Sequence, residues 1–327
     1  MLRSSFEDLK GEAKRPPFFN SPKNDSPSSV QRVRKKGLSY VSDLGLAEEI
    51  KEILFSGKML RSHLSFAAGA CLDAPRNLME AVACSVEMVH ESSLCHDDIQ
   101  DSQAERRKKP TIWKILGVNQ AINFGDLLTS LSYRPLLELK TYNSQLLVNH
   151  LNQVIAEVIR GQILEQQHLG QSASRAFYER VASLKTGALI AAGPQLICLA
   201  MGQTLAMQTV TMAFQHLSLA FQLFNDLSLV SKEGMELDFQ NKVFSFPFII
   251  LQERLIRNSS KESFFELCSD YQKVLSLFEK YSVREEILQL GQAHLRLFRE
   301  KLRQLGDEWP SHFDPLINRY FKSSFAQ

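Results

Sequence analysis

The chain has 327 residues, 44% hydrophobic and 23% charged, with 38 Lys+Arg against 36 Asp+Glu for a formal net charge of +2. That composition excludes a largely disordered chain, a collagen-like repeat and a small disulfide scaffold, and the near-neutral balance offers no field that would draw in nucleic acid. The five cysteines (Cys71, Cys84, Cys95, Cys198 and Cys268) are odd in number and form no C-x-x-C pair, so they read as apolar thiols of a reducing, cytoplasmic compartment.

The charge is unevenly spread. Residues 1–37 hold nine basic and four acidic side chains, a surplus of +5, and the remainder carries −3. Pro16, Pro17, Pro22 and Pro27 sit among Ser, Asn and Lys, and the stretch ends in Arg32, Arg34, Lys35 and Lys36. Such a segment cannot bury enough apolar area to offset its ordering entropy, so 1–37 is expected to be a disordered basic tail. Its first fifteen residues are polar and include Glu7, Asp8 and Glu12, which is the wrong pattern for a secretory leader.

Residues 38–327 read as a single all-α domain. Ala, Leu, Glu, Gln and Lys are abundant, and the two-residue alternation of strands is missing. Breaks near Pro75, Pro110, Gly117, Gly170, Gly193-Pro194, Gly234 and Trp309-Pro310 divide the domain into roughly ten helices.

Taken in order, the first chemical signal is Gly57-Lys58-Met59-Leu60-Arg61, where Lys58 and Arg61 are spaced i and i+3 and can clamp one anion. An apolar helical run from Leu78 to Leu94 then ends in His96-Asp97-Asp98-Ile99-Gln100-Asp101. Asp97 and Asp101, at i and i+4, project from one helix face. Two unpaired carboxylates there repel each other unless a divalent cation lies between them, and hard oxygen ligands suit Mg²⁺, which brings phosphate oxygens with it. His90 lies two turns earlier on the same face. Arg106-Arg107-Lys108-Lys109 follows at once, so that metal and guanidinium forks can hold two sides of a polyphosphate.

Residues 186–225 contain no Asp, Glu, Lys or Arg. Gln195, Gln203, Gln208, Gln215, His216 and Gln222 interrupt this stretch, as does Gly193-Pro194, so it reads as helices buried at a bundle centre rather than a transmembrane span. Asn225, Leu229 and Glu233, at i, i+4 and i+8, make a second stripe with oxygen-bearing ends. Lys185 and Lys242 supply further cations.

With these pieces in order, the chain resembles the trans-prenyl diphosphate synthase family from about Gly57 to Pro247. D-D-I-Q-D-x-x-x-x-R-R-x-x-P-T at 97–111 looks like the family's first aspartate-rich motif. Gly57-Lys58 with Arg61 is similar to its G-G-K-R-x-R-P motif. Gly125-Asp126, Gly161-Gln162, Lys185-Thr186-Gly187 and Phe221-Gln222 are similar to shorter signatures in the expected order. The resemblance implies an isoprenoid-synthase-type helical bundle around a deep central cavity, and a homodimer, with a heterodimer as the alternative. It implies that Asp97, Asp98 and Asp101 hold Mg²⁺ and an allylic diphosphate, assisted by Arg106, Lys185, Thr186, Gln222 and Lys242. Lys58, Arg61, His90 and Arg107 would hold isopentenyl diphosphate. Asn225, Asp226 and Glu233 would complete the metal site.

The chain also departs from the family pattern. The second aspartate-rich motif reads Asn225-Asp226-Leu227-Ser228-Leu229, with an amide first and Leu last. Asn225 and Glu233 are partly similar to the N-D-x-x-S-x-x-x-E metal motif of class I terpene synthases. Three functions are therefore in play: a prenyltransferase, a terpene synthase on a prenyltransferase scaffold, and a catalytically weak regulatory subunit. The basic set Lys58, Arg61, His90 and Arg107 favours the first. Ser56, Met59, Ser62 and Lys108 stand where the family has other residues. By the family's chain-length rule, small Ser92 and Ser93 would open a channel toward Met88 and Ser85. That implies a product of geranylgeranyl length or longer.

Overall fold

The computed structural model describes residues 27–140, 142–169, 171–229, 245–257 and 271–325. It is almost wholly helical, as expected. Helices α1 (Pro27–Ser39), α2 (Glu48–Ile53) and α3 (Leu60–Cys71) lead into the 25-residue α4 (Arg76–Gln100). Pro75 precedes α4, no Gly or Pro interrupts it, and Ser102 ends the turn beyond it at φ 54. Buried residues run almost without a gap from Leu78 to Val89, so α4 is a central helix. It packs against α1, α3, α6 (Val118–Leu131) and α10 (Ala188–Ala200).

After α4 comes a two-stranded hairpin, β1 (Glu105–Arg106) and β2 (Lys109–Pro110). Short helices α5 (Ile112–Leu116) and α7 (Arg134–Leu137) flank α6. Helices α8 (Ser144–Gln167) and α9 (Arg175–Ala182) follow. Asn143 and Ser174 cap these two by accepting the Leu146 and Phe177 backbone N–H groups. A single wide turn, Ser183–Gly187, joins α9 to α10 with π-helical geometry. The remaining helices are α11 (Thr204–Leu229), α12 (Phe246–Arg257), α13 (Tyr271–Lys280), α14 (Val283–Arg303) and α15 (Glu308–Phe325). The most extensive helix–helix contact joins α11 to α14.

The charge-free stretch behaves as a bundle core. The run Arg175–Ala200 is long and apolar enough to cross a membrane by composition, but 78% of its most apolar window is buried inside the fold. Every residue from Leu189 to Cys198 is buried.

One boundary differs from expectation. The basic tail does not extend to residue 37, because Pro27–Ser39 is helical and docked: Val33 is fully buried, Arg32 bonds Glu80 at 2.6 Å, and an Arg34 amine donates to the Lys51 carbonyl. The apolar anchors Val30, Val33 and Leu38 are sparse in a basic sequence, so local composition hides them. Residues 1–26 lie outside the described residues.

Candidate active site

The first acidic stripe forms as its spacing predicts. Asp97 and Asp101 sit at the C-terminal end of α4, both half-buried. Burial is the main reason the Asp97 carboxyl is pushed up to about 6; Asp101 and Glu165 add to the shift, while Lys185 and Arg106 oppose it. Asp101 is also raised, first by burial and then by Glu165, against Lys185. Two half-buried carboxylates thus sit beside Glu165, with Lys185 and Arg106 as the opposing cations. Hard oxygens concentrated in this way suit a divalent cation. Among the described residues, no group of three or more His, Cys, Asp or Glu is close enough to hold a metal alone.

Lys185 faces this stripe from the wide Ser183–Gly187 turn. Its amine bonds Glu165 at 2.5 Å. Burial works against its charge, but Glu165, Asp97 and Asp101 outweigh it and hold Lys185 above the usual lysine range. Its position depends on Gly161 of α8: a Cβ there would lie 2.5 Å from the Lys185 backbone nitrogen and 2.8 Å from its Cα. The Gly161-Gln162 signature thus marks a close backbone approach. Gln162 donates to Gln100 at the end of α4 at 2.6 Å.

Asp98 does not belong to the open stripe. It is buried and accepts two bonds from Arg106, at 2.9 and 2.6 Å. One position along a helix turns a side chain by about 100°, so the middle aspartate points at the hairpin and aims Arg106 instead of facing a metal. The hairpin loop is Arg107-Lys108, both left-handed at φ 55 and 62, the two-residue turn that suits tight hairpins. Lys108 thus stands at a position that glycine would adopt more easily.

The basic residues converge on a cavity of about 390 Å³ lined by Lys58, Arg61, His90, Arg106 and Arg107. Gly57 makes room for it, since a Cβ there would meet the Arg107 guanidinium at 2.6 Å. Phe221, Phe224, Tyr320 and Phe321 form an aromatic wall. Lys58 lies 5.9 Å from the Tyr320 ring centroid, and the Tyr320 hydroxyl donates to the Lys58 carbonyl. Burial, then Arg61, Arg107 and Arg106, keep His90 well below the usual imidazole range, so it is neutral, and its Nδ1 has no hydrogen-bond partner. Arg61 Nε is also buried without one. Two polar atoms left open at a cationic cavity fit an anionic ligand.

The second stripe is split. Asn225 is exposed and lines the basic cavity. Asp226 is buried and turned away: it accepts from the Tyr178 hydroxyl at 2.9 Å, from the Gln222 amide at 3.1 Å and from the Phe246 backbone N–H at 2.9 Å. Its carboxylate ties α9, α11 and α12 together and is not presented as a metal ligand, contrary to the sequence expectation. Gln222 is occupied by that bond and approaches Thr186 at 3.4 Å. Glu233 and Lys242 lie outside the described residues.

The expected chain-length residues divide as well. Ser92 donates to the Gly125 carbonyl at 2.7 Å and lies 2.6 Å from the Thr129 hydroxyl, so it packs α4 on α6 and lines no part of the basic cavity. Ser93 is half-buried and bonds its own helix at the His90 carbonyl. Met88 is fully buried in the core. Sequence reasoning also missed four participants. Glu165 follows Gln162 by three positions on α8, a spacing that carries a faint signal. Tyr320 and the buried acids Glu87 and Glu91 gave none.

The family model described as Polyprenyl synthetase matches residues 45–273. A (2E,6E)-farnesyl diphosphate synthase of Mycobacterium tuberculosis is 32% identical over 182 residues, 52% of this chain and 48% of that protein. A geranylgeranyl diphosphate synthase of the same organism is 34% identical over 180 residues, 53% of this chain and 50% of that one. The chain spans about half the length of the curated relatives it matches. Among solved structures, a geranylgeranyl pyrophosphate synthase from Lactobacillus brevis superposes with a TM-score of 0.79 at 19% identity, covering 89% of this chain and 95% of that one. A polyprenyl synthase from Caulobacter crescentus, complexed with calcium and isoprenyl diphosphate, superposes at 0.70 with 20% identity, covering 90% and 97%. At these identities the structural likeness speaks to the fold alone.

Proposed function

Because the chain belongs to the polyprenyl synthetase family, we propose that it is a trans-prenyltransferase condensing isopentenyl diphosphate with an allylic diphosphate. The observation that carries this reading is the pairing of an acidic stripe, Asp97 and Asp101, with a separate basic cavity built from Lys58, Arg61, His90 and Arg107. A cyclising enzyme needs only one diphosphate site, whereas chain elongation needs two.

In this proposal Asp97 and Asp101 would hold Mg²⁺, which when bound would supply positive charge to weaken the allylic carbon–oxygen bond. Lys185 and Arg106 grip the same diphosphate, Arg106 being pre-aimed by Asp98. Arg61 and Arg107 fix the second diphosphate, and Lys58 covers it from the cavity rim. Neutral His90 offers a hydrogen bond without adding charge. The aromatic wall of Phe221, Phe224 and Phe321 keeps water from a developing carbocation. The alkene of isopentenyl diphosphate attacks that cation, and the departing diphosphate accepts the proton then lost. No protein nucleophile takes part. A homodimer belongs to the same proposal. A product of geranylgeranyl length or longer now rests on small Ser93 alone, since Ser92 is used for helix packing.

A second reading has a specific basis. With Asn225 an amide and Asp226 tied to Tyr178, Gln222 and Phe246, the second stripe presents no acid among the described residues. This favours a weakened catalyst that tunes an active partner. The test is to incubate purified protein with Mg²⁺, isopentenyl diphosphate and a series of allylic diphosphates, with products analysed before and after phosphatase. Elongated alcohols that appear only after phosphatase, and vanish in Asp97→Ala, support the prenyltransferase. Hydrocarbons made without isopentenyl diphosphate would overturn it in favour of a cyclase. Turnover seen only beside an active synthase would favour the regulatory subunit.

A further inference from the structure

We propose that Glu91 is a binding residue of the basic cavity, where it acts as a neutral carboxylic acid whose O–H donates a hydrogen bond to an oxygen of the bound diphosphate. This deepens the proposed function and rests on that cavity being a diphosphate site.

The starting observation is an acid where none is expected. Glu91 is buried, lines the basic cavity together with Arg61, His90 and Arg107, and also lines a neighbouring space of about 270 Å³ behind the hairpin with Arg106 and Lys109. An ionised carboxylate in that wall would repel the ligand the cations attract. A neutral acid removes the conflict and adds a donor, because a protonated carboxyl presents one O–H.

The surroundings keep it neutral. Burial is the largest influence, and Glu87, one turn back on α4, is the next; together they push Glu91 up to about 8. The Phe55 backbone N–H, Arg107 and Arg61 oppose this without cancelling it. Glu87 is itself raised, first by burial, although Arg61 and the Ser62 backbone N–H at 2.9 Å favour its charged form. The groups facing the pair are thus Arg61 and His63 from α3, Arg106, Arg107 and Lys109 from the hairpin, and His90, Cys95 and Asp98 from α4, with Lys58 at the rim. Two acids on adjacent turns share a buried space, so their ionisations are coupled, and charge on Glu87 raises Glu91.

A bound diphosphate adds negative charge beside Glu91 and strengthens its hold on the proton. Binding must therefore take up protons between pH 8 and 9, where the free protein has begun to lose them. If only the protonated form binds, apparent affinity falls about tenfold from pH 7 to 9, beyond any change due to the ligand's own ionisation.

The experiment is calorimetric titration of metal-free protein with inorganic diphosphate at pH 7, 8 and 9, in buffers of differing ionisation heat, so that proton uptake is counted directly. Wild type should take up a fraction approaching one proton near pH 8.5, and Glu91→Gln, which keeps a donor but cannot ionise, should take up none from this site and lose the extra pH dependence. Arg107→Ala identifies the cavity, because it should weaken binding at every pH. Diphosphate binding that depends on Arg107 but shows the same proton uptake in wild type and Glu91→Gln would overturn the role of Glu91 and leave the site intact. Binding that ignores Arg107, or no binding, would overturn the site reading and this inference with it. If Glu91→Gln does not fold, the wild-type proton count decides alone: no uptake between pH 8 and 9 overturns the inference.

Discussion

Gly161 carries a prediction that can be worked through from distances. A methyl group added there meets backbone rather than a mobile side chain, at 2.5 Å from Lys185 N, 2.8 Å from Lys185 Cα and 3.0 Å from the Leu184 carbonyl carbon. Relaxing the shortest of these to ordinary contact at 3.4 Å requires α8 and the Ser183–Gly187 turn to part by about 0.9 Å. Two energies compete. Alanine is better than glycine inside a helix by about 0.5–1 kcal/mol, and overpacking a close contact costs about 1–3 kcal/mol. The second is larger, so Gly161→Ala should lose about 1–2 kcal/mol, which lowers the melting temperature by roughly 1–3 °C in a chain of this size. Turnover should suffer more. Lys185 rides on the displaced turn, and a misplacement of about 1 Å at a charged contact is worth about 100-fold in rate. The assays are thermal unfolding and steady-state condensation. The double variant Gly161→Ala/Lys185→Ala separates the causes, since it should be no slower than Lys185→Ala alone if the glycine acts by placing that lysine. An unchanged melting temperature and rate in Gly161→Ala would refute the close approach. A lower melting temperature with normal turnover would refute the link to Lys185.

Three further outcomes follow from the same geometry. Asp226→Ala strands the Tyr178 hydroxyl and the Phe246 N–H, so it should cost about 3 kcal/mol by denaturant unfolding even without Mg²⁺; a loss seen only with Mg²⁺ present would restore Asp226 as a metal ligand. Asn225→Asp should raise the elongation rate by putting a carboxylate where the second stripe has an amide, measured as product formed per minute at saturating Mg²⁺. An unchanged or lower rate would mean that the amide at the basic cavity is suited to other chemistry. Burial pushes Glu286 up, but its bonds from Arg175 and Arg254 at 2.7 and 2.6 Å outweigh burial and hold it below the usual carboxylate range. Its stabilisation is thus present above the unfolded value and is lost as pH falls through the lower folded one. Glu286→Gln should therefore destabilise by about 1 kcal/mol at pH 7, with the gap to wild type closing in acid. A gap that persists at pH 3 would show the effect to be packing.

What the sequence determines by itself is whatever short-range spacing controls. Asp97 and Asp101 are one helical turn apart, so their shared face follows from the rise of the helix, and the structure puts both in the open stripe. The charge-free residues 186–225 form core helix along α10, where Leu189 to Cys198 are all buried, while the turn at Gly202 and the polar positions Gln208, Gln215 and Asn225 face out. The ordered motifs were enough to identify the all-helical family. Tertiary structure decides the rest, because it depends on which way a side chain turns and what it meets there. Asp98 and Asp226 stand in acidic motifs, yet each is consumed by partners outside its own helix: Arg106 in the hairpin for one, Tyr178 and the Phe246 backbone for the other. Ser92 looked like an opening in a channel floor and is a packing bond to α6. Glu91 gave no signal and Glu165 only a faint one, because a lone glutamate on a helix is ordinary until the fold surrounds it with buried charge. Residues 27–37 look like a solvated basic segment, and only the complementary surface of α4, with Glu80 as a partner, shows where the helix docks. A charged residue gains its role from its long-range partners, and those are set by packing rather than by neighbours along the chain.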